Sequence, residues 1–167
     1  MEKSNYEQVK EFHNAFGHEM PDSPTPMGID MVLNRMGFLA EEMIELIHAT
    51  SKEQDDFRKN YFELLKRMTI SFEKLFHKSI PEDVLAAQVD ALIDIKYFNE
   101  GNFTLISVDP TEPFNIVHRA NMGKLWHDNK PRYNEYGKFI KPPMWELEYA
   151  PEPKLKLEIQ RQIEINK

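Results

Sequence analysis

Residues 29–50, IDMVLNRMGFLAEEMIELIHAT, combine a long apolar stretch with a cluster of three glutamates. Apolar residues recur at helical spacing throughout, so we expect one α-helix over this range. Most sides of the helix are apolar, which is typical of a helix buried among others. Glu42 and Glu45 are three residues apart and lie on one helical face, with Glu41 beside them. The stretch therefore predicts a packed helix that carries carboxylates.

A second acidic motif lies in VDALIDIKYF, residues 89–98. Asp90 and Asp94 are four residues apart and share one face of an expected helix with small and aromatic residues. A solvated charged face is the alternative, but unpaired carboxylates in such apolar surroundings are costly, and a cation removes that cost. Oxygen ligands suit Mg²⁺, with Mn²⁺ as an alternative ion. The expected metal ligands are Glu42, Glu45, Asp90 and Asp94.

Length and composition limit the classes of protein to which the chain can belong. Its 167 residues suffice for one domain with a sizeable core, and we expect a single domain over residues 1–167. The net charge of -7 disfavours a nucleic-acid polymer as partner. Cysteine, a transmembrane-length apolar run and a basic-then-apolar leader are all absent from the sequence, so we expect a soluble cytoplasmic protein without a membrane partner.

Helical patterns cover most of the chain outside residues 126–150. Pro81 is expected in the first turn of a helix, because its missing N–H is not needed there. Residues 126–150 show neither helical nor strand periodicity and predict an extended tail with a turn at NEYG, residues 134–137. The expected helices run from about Ser4 to Phe16, over 29–50, over 55–77, from Pro81 through Gly101 to Ser107, from Asp109 or Thr111 to Lys124, and over 151–166.

This pattern predicts an all-α fold. Long helices with short connections and little strand signal favour a helical bundle of four to six helices with an extended C-terminal tail. Apolar residues occur on more helix faces than one small bundle can bury. We therefore expect a homo-oligomer, either a homodimer or a dimer of dimers.

The order of the acidic motifs resembles the all-α nucleotide pyrophosphohydrolases, the MazG-like group, which includes dUTPases and phosphoribosyl-ATP pyrophosphohydrolases. The pattern of that superfamily is E-E-x-x-E followed by E-x-x-D on a facing helix. Glu41, Glu42 and Glu45 match the first half completely. In the second half Asp94 matches, whereas alanine stands three residues before it and the acidic residue is Asp90. Both spacings keep the two side chains on one helix face.

The segment HRANMGK, residues 118–124, extends the similarity to a subgroup described as Cof-like or phosphoribosyl-ATP-pyrophosphohydrolase-like, over residues 6–143. The resemblance implies Mg²⁺-dependent cleavage between the α and β phosphates of a nucleoside triphosphate or related nucleotide. The products would be a nucleoside monophosphate and pyrophosphate. Glu41 would be a general base or would orient the attacking water.

Four further side chains are candidates for substrate binding. Arg35 lies on the helical side of Glu42 and would contact a phosphate or pair with that carboxylate. Arg119 and Lys124 would hold phosphate oxygens, and Asn121 would contact a base or sugar; a surface salt bridge or a helix cap is the alternative for each. Two other functions remain open, namely a catalytically silent oligomer that binds nucleotide or metal, and hydrolysis of phosphoribosyl-ATP.

Overall fold

The computed structural model describes residues 3–135 and 137–166, in which the regular secondary structure is α-helical apart from one isolated bridge between Tyr133 and Phe139. The predicted all-α class is thereby confirmed. None of the described helices is both long and apolar enough to cross a membrane. The helices are α1 (Asn5–Ala15), α2 (Ile29–Thr50), α3 (Gln54–Phe76), α4 (Val84–Leu105), α5 (Thr111–Met122), α6 (Trp145–Glu148) and α7 (Pro151–Ile165).

The bounds of α4 differ from those expected. The Asp83 side chain accepts a hydrogen bond from the Ala86 N–H at 3.0 Å, as an N-cap residue does, so the helix begins after Asp83 and Pro81 lies outside it. At the other end the helix passes through Gly101 and stops at Leu105. Ser107 has a φ of 54°, in the left-handed region, and cannot continue a right-handed helix.

The predicted tail is not extended throughout. Trp145–Glu148 form a single helical turn, α6, whose four residues are too few to show periodicity in the sequence. The turn expected at residues 134–137 is present, because the Gly137 N–H donates to the Asn134 C=O at 3.0 Å. Tyr136 within that turn lies outside the described residues.

The chain divides into two compact units, and the prediction of one domain remains a prediction. Unit 1 comprises the described residues of Met1–Ser23 and Leu92–Lys167, and unit 2 comprises Pro24–Ala91. In unit 1, α5 packs against α1 and α7. The buried apolar side chains described in the chain all belong to unit 1, and they are Phe16, Ile116, Ala120 and Trp145.

Two glutamine side chains fix loops by bonding both polar groups of one backbone residue. Gln162 of α7 accepts a hydrogen bond from the Asp109 N–H at 2.8 Å and donates one to the Asp109 C=O at 2.9 Å. Within unit 2, Gln88 binds the N–H and C=O of Met27 in the same way, at 2.8 and 2.9 Å. These paired bonds satisfy backbone groups that the loops would otherwise leave without partners.

Candidate active site

Three glutamates occupy the middle of α2. Glu41, Glu42 and Glu45 are all exposed, and the helix that carries them has the bounds that the sequence predicts. Arg35 is half-buried, and its guanidinium carbon lies 5.2 Å from the centre of the Phe38 ring. Among the described residues Arg35 forms no ion pair with Glu42, the alternative to a phosphate contact considered from the sequence, and its guanidinium lies over Phe38 instead.

The second pair of carboxylates lies on α4. Asp90 and Asp94 are exposed, as is every residue over 89–100. Asp90 follows Gln88 by two positions, and the bonds from Gln88 to Met27 fix the beginning of this helix within unit 2. Each of the two helices thus presents two carboxylates on one face, as their spacing predicts.

The carboxylates of α2 and α4 are chemically suited to bind a magnesium ion. Carboxylate oxygens are the ligands that Mg²⁺ prefers, and paired carboxylates on each helix would leave further positions for water and phosphate oxygens. Among residues 3–135 and 137–166 of one chain, however, no three acidic or histidine side chains come together in an arrangement that could hold a metal ion. The residue types and spacings therefore suit the ion, but one chain does not gather them into one site.

Arg119 on α5 is held by an acidic neighbour. Its Nη2 atom lies 2.6 Å from Glu112 Oε1, and this hydrogen bond, together with one from Asn115, lowers the pKa of Glu112. The salt bridge considered from the sequence is therefore formed. Arg119 also lines a cavity of about 550 Å³, with the aromatic side chains of Trp126 and Tyr149 among its walls.

Lys124 and Asn121 contact each other near the end of α5. Lys124 Nζ donates to Asn121 Oδ1 at 2.7 Å and lies 5.8 Å from the centre of the Phe139 ring. Burial lowers the pKa of Lys124, and the positive charge of Lys141 lowers it further. Lys141 pairs with Glu146 at 2.9 Å. Two ammonium groups thus lie near the end of α5, where a bound anion would favour the charged form of both.

Gly123 in the HRANMGK segment has a role that the sequence did not predict. A Cβ atom at this position would lie 2.3 Å from Cγ of Tyr149. Only glycine lets the Tyr149 ring rest against the backbone at the end of α5. A glycine inside a motif indicates a close approach to the backbone, but the sequence does not say by which residue. That residue, Tyr149, lies in the tail, whose aperiodic sequence does not predict its position.

Trp145 fixes the tail to the same end of α5. Its indole N–H donates to the Ala120 C=O at 2.9 Å, and the side chain is only 5% exposed. Ala120 lies in the last turn of α5, where carbonyls have no partner within the helix. Trp145 is therefore an anchor within its own chain.

An all-α fold with three glutamates on one long helix and paired aspartates on another defines the class of all-α nucleotide pyrophosphohydrolases. Residues 9–121 match the family described as phosphoribosyl-ATP pyrophosphohydrolase, and the chain belongs to that family. The match ends before Lys124 and the tail. The resemblance inferred from the acidic motifs is thereby confirmed.

A solved structure resembles the whole chain. It is that of a candidate NTP pyrophosphohydrolase from Exiguobacterium sp. 255-15, with 31% sequence identity, a TM-score of 0.92 and full coverage of both chains. No curated protein matches the sequence. The family and this neighbour agree on the type of reaction, so the protein is a pyrophosphohydrolase, a hydrolase that acts on phosphoric anhydrides.

Proposed function

We propose that the protein cleaves a nucleoside triphosphate between the α and β phosphates, giving a nucleoside monophosphate and pyrophosphate. The observation that carries this proposal is the pair of carboxylates on one face of α2 and of α4, in a chain that belongs to a pyrophosphohydrolase family. Mg²⁺ is the proposed cofactor and Mn²⁺ the alternative. The residues that would hold the ion are Glu42, Glu45, Asp90 and Asp94.

Glu41 is the proposed general base. It precedes Glu42 directly and is exposed, so its carboxylate is free to orient an attacking water and accept a proton from it. When bound, a divalent cation would offset negative charge on the phosphate oxygens and acidify the water. The reaction needs no protein nucleophile.

The basic and amide side chains near the end of α5 would bind the substrate. Lys124, whose ammonium group bonds the neutral Asn121 side chain, and Lys141, which pairs with Glu146, would supply positive charge to the phosphates. When substrate binds, the Arg119 guanidinium would leave its salt bridge with Glu112 and bind a phosphate oxygen instead. Asn121 would contact the base or sugar. Arg35 on α2 is a further phosphate ligand in this proposal.

Phosphoribosyl-ATP is the second candidate substrate. The description of the matching family favours it, whereas that of the structural neighbour favours a nucleoside triphosphate. Both candidates present an anhydride between the α and β phosphates, so the same carboxylates would serve either. A cytoplasmic location agrees with nucleotide metabolism and remains a prediction.

The test is pyrophosphate release with and without Mg²⁺ across canonical and modified nucleoside triphosphates and phosphoribosyl-ATP. Glu45→Gln keeps the size of the side chain but removes its charge, and we expect it to lower kcat/KM by about 100-fold or more, because metal sites lose 10–100-fold even when a supporting residue is changed. Glu19→Gln, on an exposed loop residue, is the matched control and should keep wild-type activity. Full activity in Glu45→Gln would exclude Glu45 as a ligand, and no release across the panel would exclude the proposed reaction.

A further inference from the structure

The cavity at the end of α5 is built mainly by the tail. Its volume is about 550 Å³, and its described walls come from residues 119–149, all within unit 1. Sites for small organic ligands typically have volumes of about 300–1,000 Å³. The family match ends at residue 121, so every described wall residue except Arg119 lies beyond it. The cavity is therefore a candidate ligand site that membership of the family does not explain.

Three aromatic side chains of the cavity wall are held in place by contacts of their own. The indole N–H of Trp126 donates to the Ile140 C=O at 3.0 Å, and Trp145 is anchored to the end of α5. The Tyr149 ring rests against Gly123. Rings that are already fixed lose little conformational freedom when a ligand binds. The wall is therefore preorganised to receive a flat aromatic group.

A cation covers part of the Trp126 ring without filling the cavity. The Arg132 guanidinium carbon lies 3.9 Å from the ring centre, and Arg132 lies outside the described cavity wall. This cation–π contact fixes the ring further, while the remaining surface of the ring borders the cavity. That surface is available to stack on a ligand.

The polar groups of the cavity wall add the other chemistry that a nucleotide requires. Arg119 brings a permanent positive charge, and its side chain is half-exposed although it pairs with Glu112. His127, Asn129 and Glu148 bring hydrogen-bonding atoms. Arginine binds phosphate oxygens, aromatic rings stack on bases, and polar atoms bond the edge of a base. The wall thus combines the three kinds of group that recognise a nucleotide.

We infer that this cavity binds the base of the nucleotide substrate, which lies against the Trp126 and Tyr149 rings while Arg119 binds a phosphate oxygen. The inference rests on the proposed function, which assigns Arg119 to a phosphate. Asn121 lies outside the described cavity wall and contacts the sugar in this arrangement. Stacking accepts every base, because each has a π-face, and preferences follow the strength of stacking. The enzyme therefore accepts many bases and binds purine nucleotides more tightly than pyrimidine nucleotides.

Calorimetric titration without metal tests the base contact apart from catalysis. Adenosine monophosphate should bind more tightly than ribose 5-phosphate, which lacks the base. Tyr149→Ala should weaken binding of adenosine monophosphate by about 5- to 150-fold, the usual loss for a residue that stacks on a base, and should leave binding of ribose 5-phosphate unchanged. Tyr149→Phe keeps the ring and should bind as the wild type does. Tyr6→Ala removes an exposed tyrosine of α1, outside this cavity, and is the matched control.

Photochemical labelling locates the base without any substitution. An azido analogue of adenosine monophosphate, irradiated with the wild-type protein, should attach to peptides that contain residues 122–129 or 142–149. Excess adenosine monophosphate should suppress this labelling. Attachment confined to other peptides would overturn the inference, as would an unchanged affinity of Tyr149→Ala for adenosine monophosphate or the absence of binding to the wild type.

Steady-state kinetics show whether the bound base is that of the substrate. Tyr149→Ala should raise KM for a nucleoside triphosphate and leave kcat nearly unchanged, because stacking stabilises the ground state and the transition state equally. A lost affinity for adenosine monophosphate with an unchanged KM would indicate a second nucleotide site and would overturn the assignment to the substrate. Binding in the cavity by a protein that releases no pyrophosphate would overturn the proposed reaction, whereas the nucleotide cavity would stand.

Discussion

At the scale of single residues, close contacts at the end of α5 decide how the tail is held. Gly123, Ala120 and Asn121 lie within four positions, and each contacts a group outside the helix backbone: the Tyr149 ring, the Trp145 indole and the Lys124 ammonium. The sequence alone predicts the candidate roles of Asn121 and Lys124, because short polar and basic residues in a motif suggest binding. It does not predict the contacts of Gly123 and Ala120, because their partners lie in an aperiodic segment.

Gly123→Ala should destabilise the protein. The added Cβ would lie 2.3 Å from the Tyr149 ring, so the ring or the helix end must move, and overpacking of this kind typically costs about 1–3 kcal/mol. For a chain of this length we expect Tm to fall by about 2–4 °C per kcal/mol, measured by calorimetry. Tyr149→Ala removes the obstruction, so Gly123→Ala should cost much less in that background. Equal costs in both backgrounds would show that the ring is not the obstacle.

Glu158 should make the stability of the protein depend on pH under acid conditions. Bidentate hydrogen bonds from Arg161, and then a bond from Gln162, lower the pKa of Glu158 to about 2. Because the folded pKa lies below the unfolded value of about 4.3, the stabilisation is fully present above that value and is lost as the pH falls towards 2. The difference in unfolding free energy between wild type and Glu158→Gln should shrink from pH 5 to pH 2 in urea titrations. A difference that stays constant over this range would contradict the assigned pKa.

At the scale of helices, the sequence predicted where the periodic helices lie but did not predict all of their ends. The bounds of α2 agree with the prediction because its apolar pattern runs without interruption. The predicted start of α4 was wrong because Pro81 and Asp83 are both residues that favour a helix start, and they lie two positions apart. The hydrogen bond from the Ala86 N–H to the Asp83 side chain makes Asp83 the N-cap. The partner of a helix cannot be read from its own periodicity, because periodicity predicts which side is covered but not what covers it.

Gln162→Ala should loosen the connection between α4 and α5. The substitution removes both bonds to the backbone of Asp109 and the bond from Gln162 to Glu158, and each such hydrogen bond typically contributes about 0.5–1.5 kcal/mol net. We expect a loss of about 2–4 kcal/mol in unfolding free energy and faster hydrogen exchange of the Asp109 amide. Gln160→Ala, whose side chain bonds only an exposed glutamate, should change the unfolding free energy by less than about 0.5 kcal/mol. An unchanged rate of hydrogen exchange at the Asp109 amide in Gln162→Ala would show that the bonds from Gln162 do not hold this connection.

At the scale of the whole molecule, folding and association should be inseparable. Unit 2 has no described buried residue, so its helices would have little stability without the homo-oligomeric partner that the sequence predicts. We expect Tm to rise with protein concentration and the helical signal in circular dichroism to fall on dilution, as in obligate homodimers. A Tm that is constant over a hundredfold range of concentration would show that a single chain is stable alone.

The position of the tryptophans has an optical consequence. The sequence contains two, Trp126 and Trp145, and both lie in the segment that follows α5. Trp145 is buried against the end of α5, while the Trp126 ring lies 3.9 Å from the Arg132 guanidinium. Tryptophan fluorescence therefore reports on the segment that follows α5 in unit 1, and it does not report on the acidic helix α2. Tryptophan emission and circular dichroism are therefore two separate probes of one unfolding experiment, one of the docked tail and one of the helices as a whole.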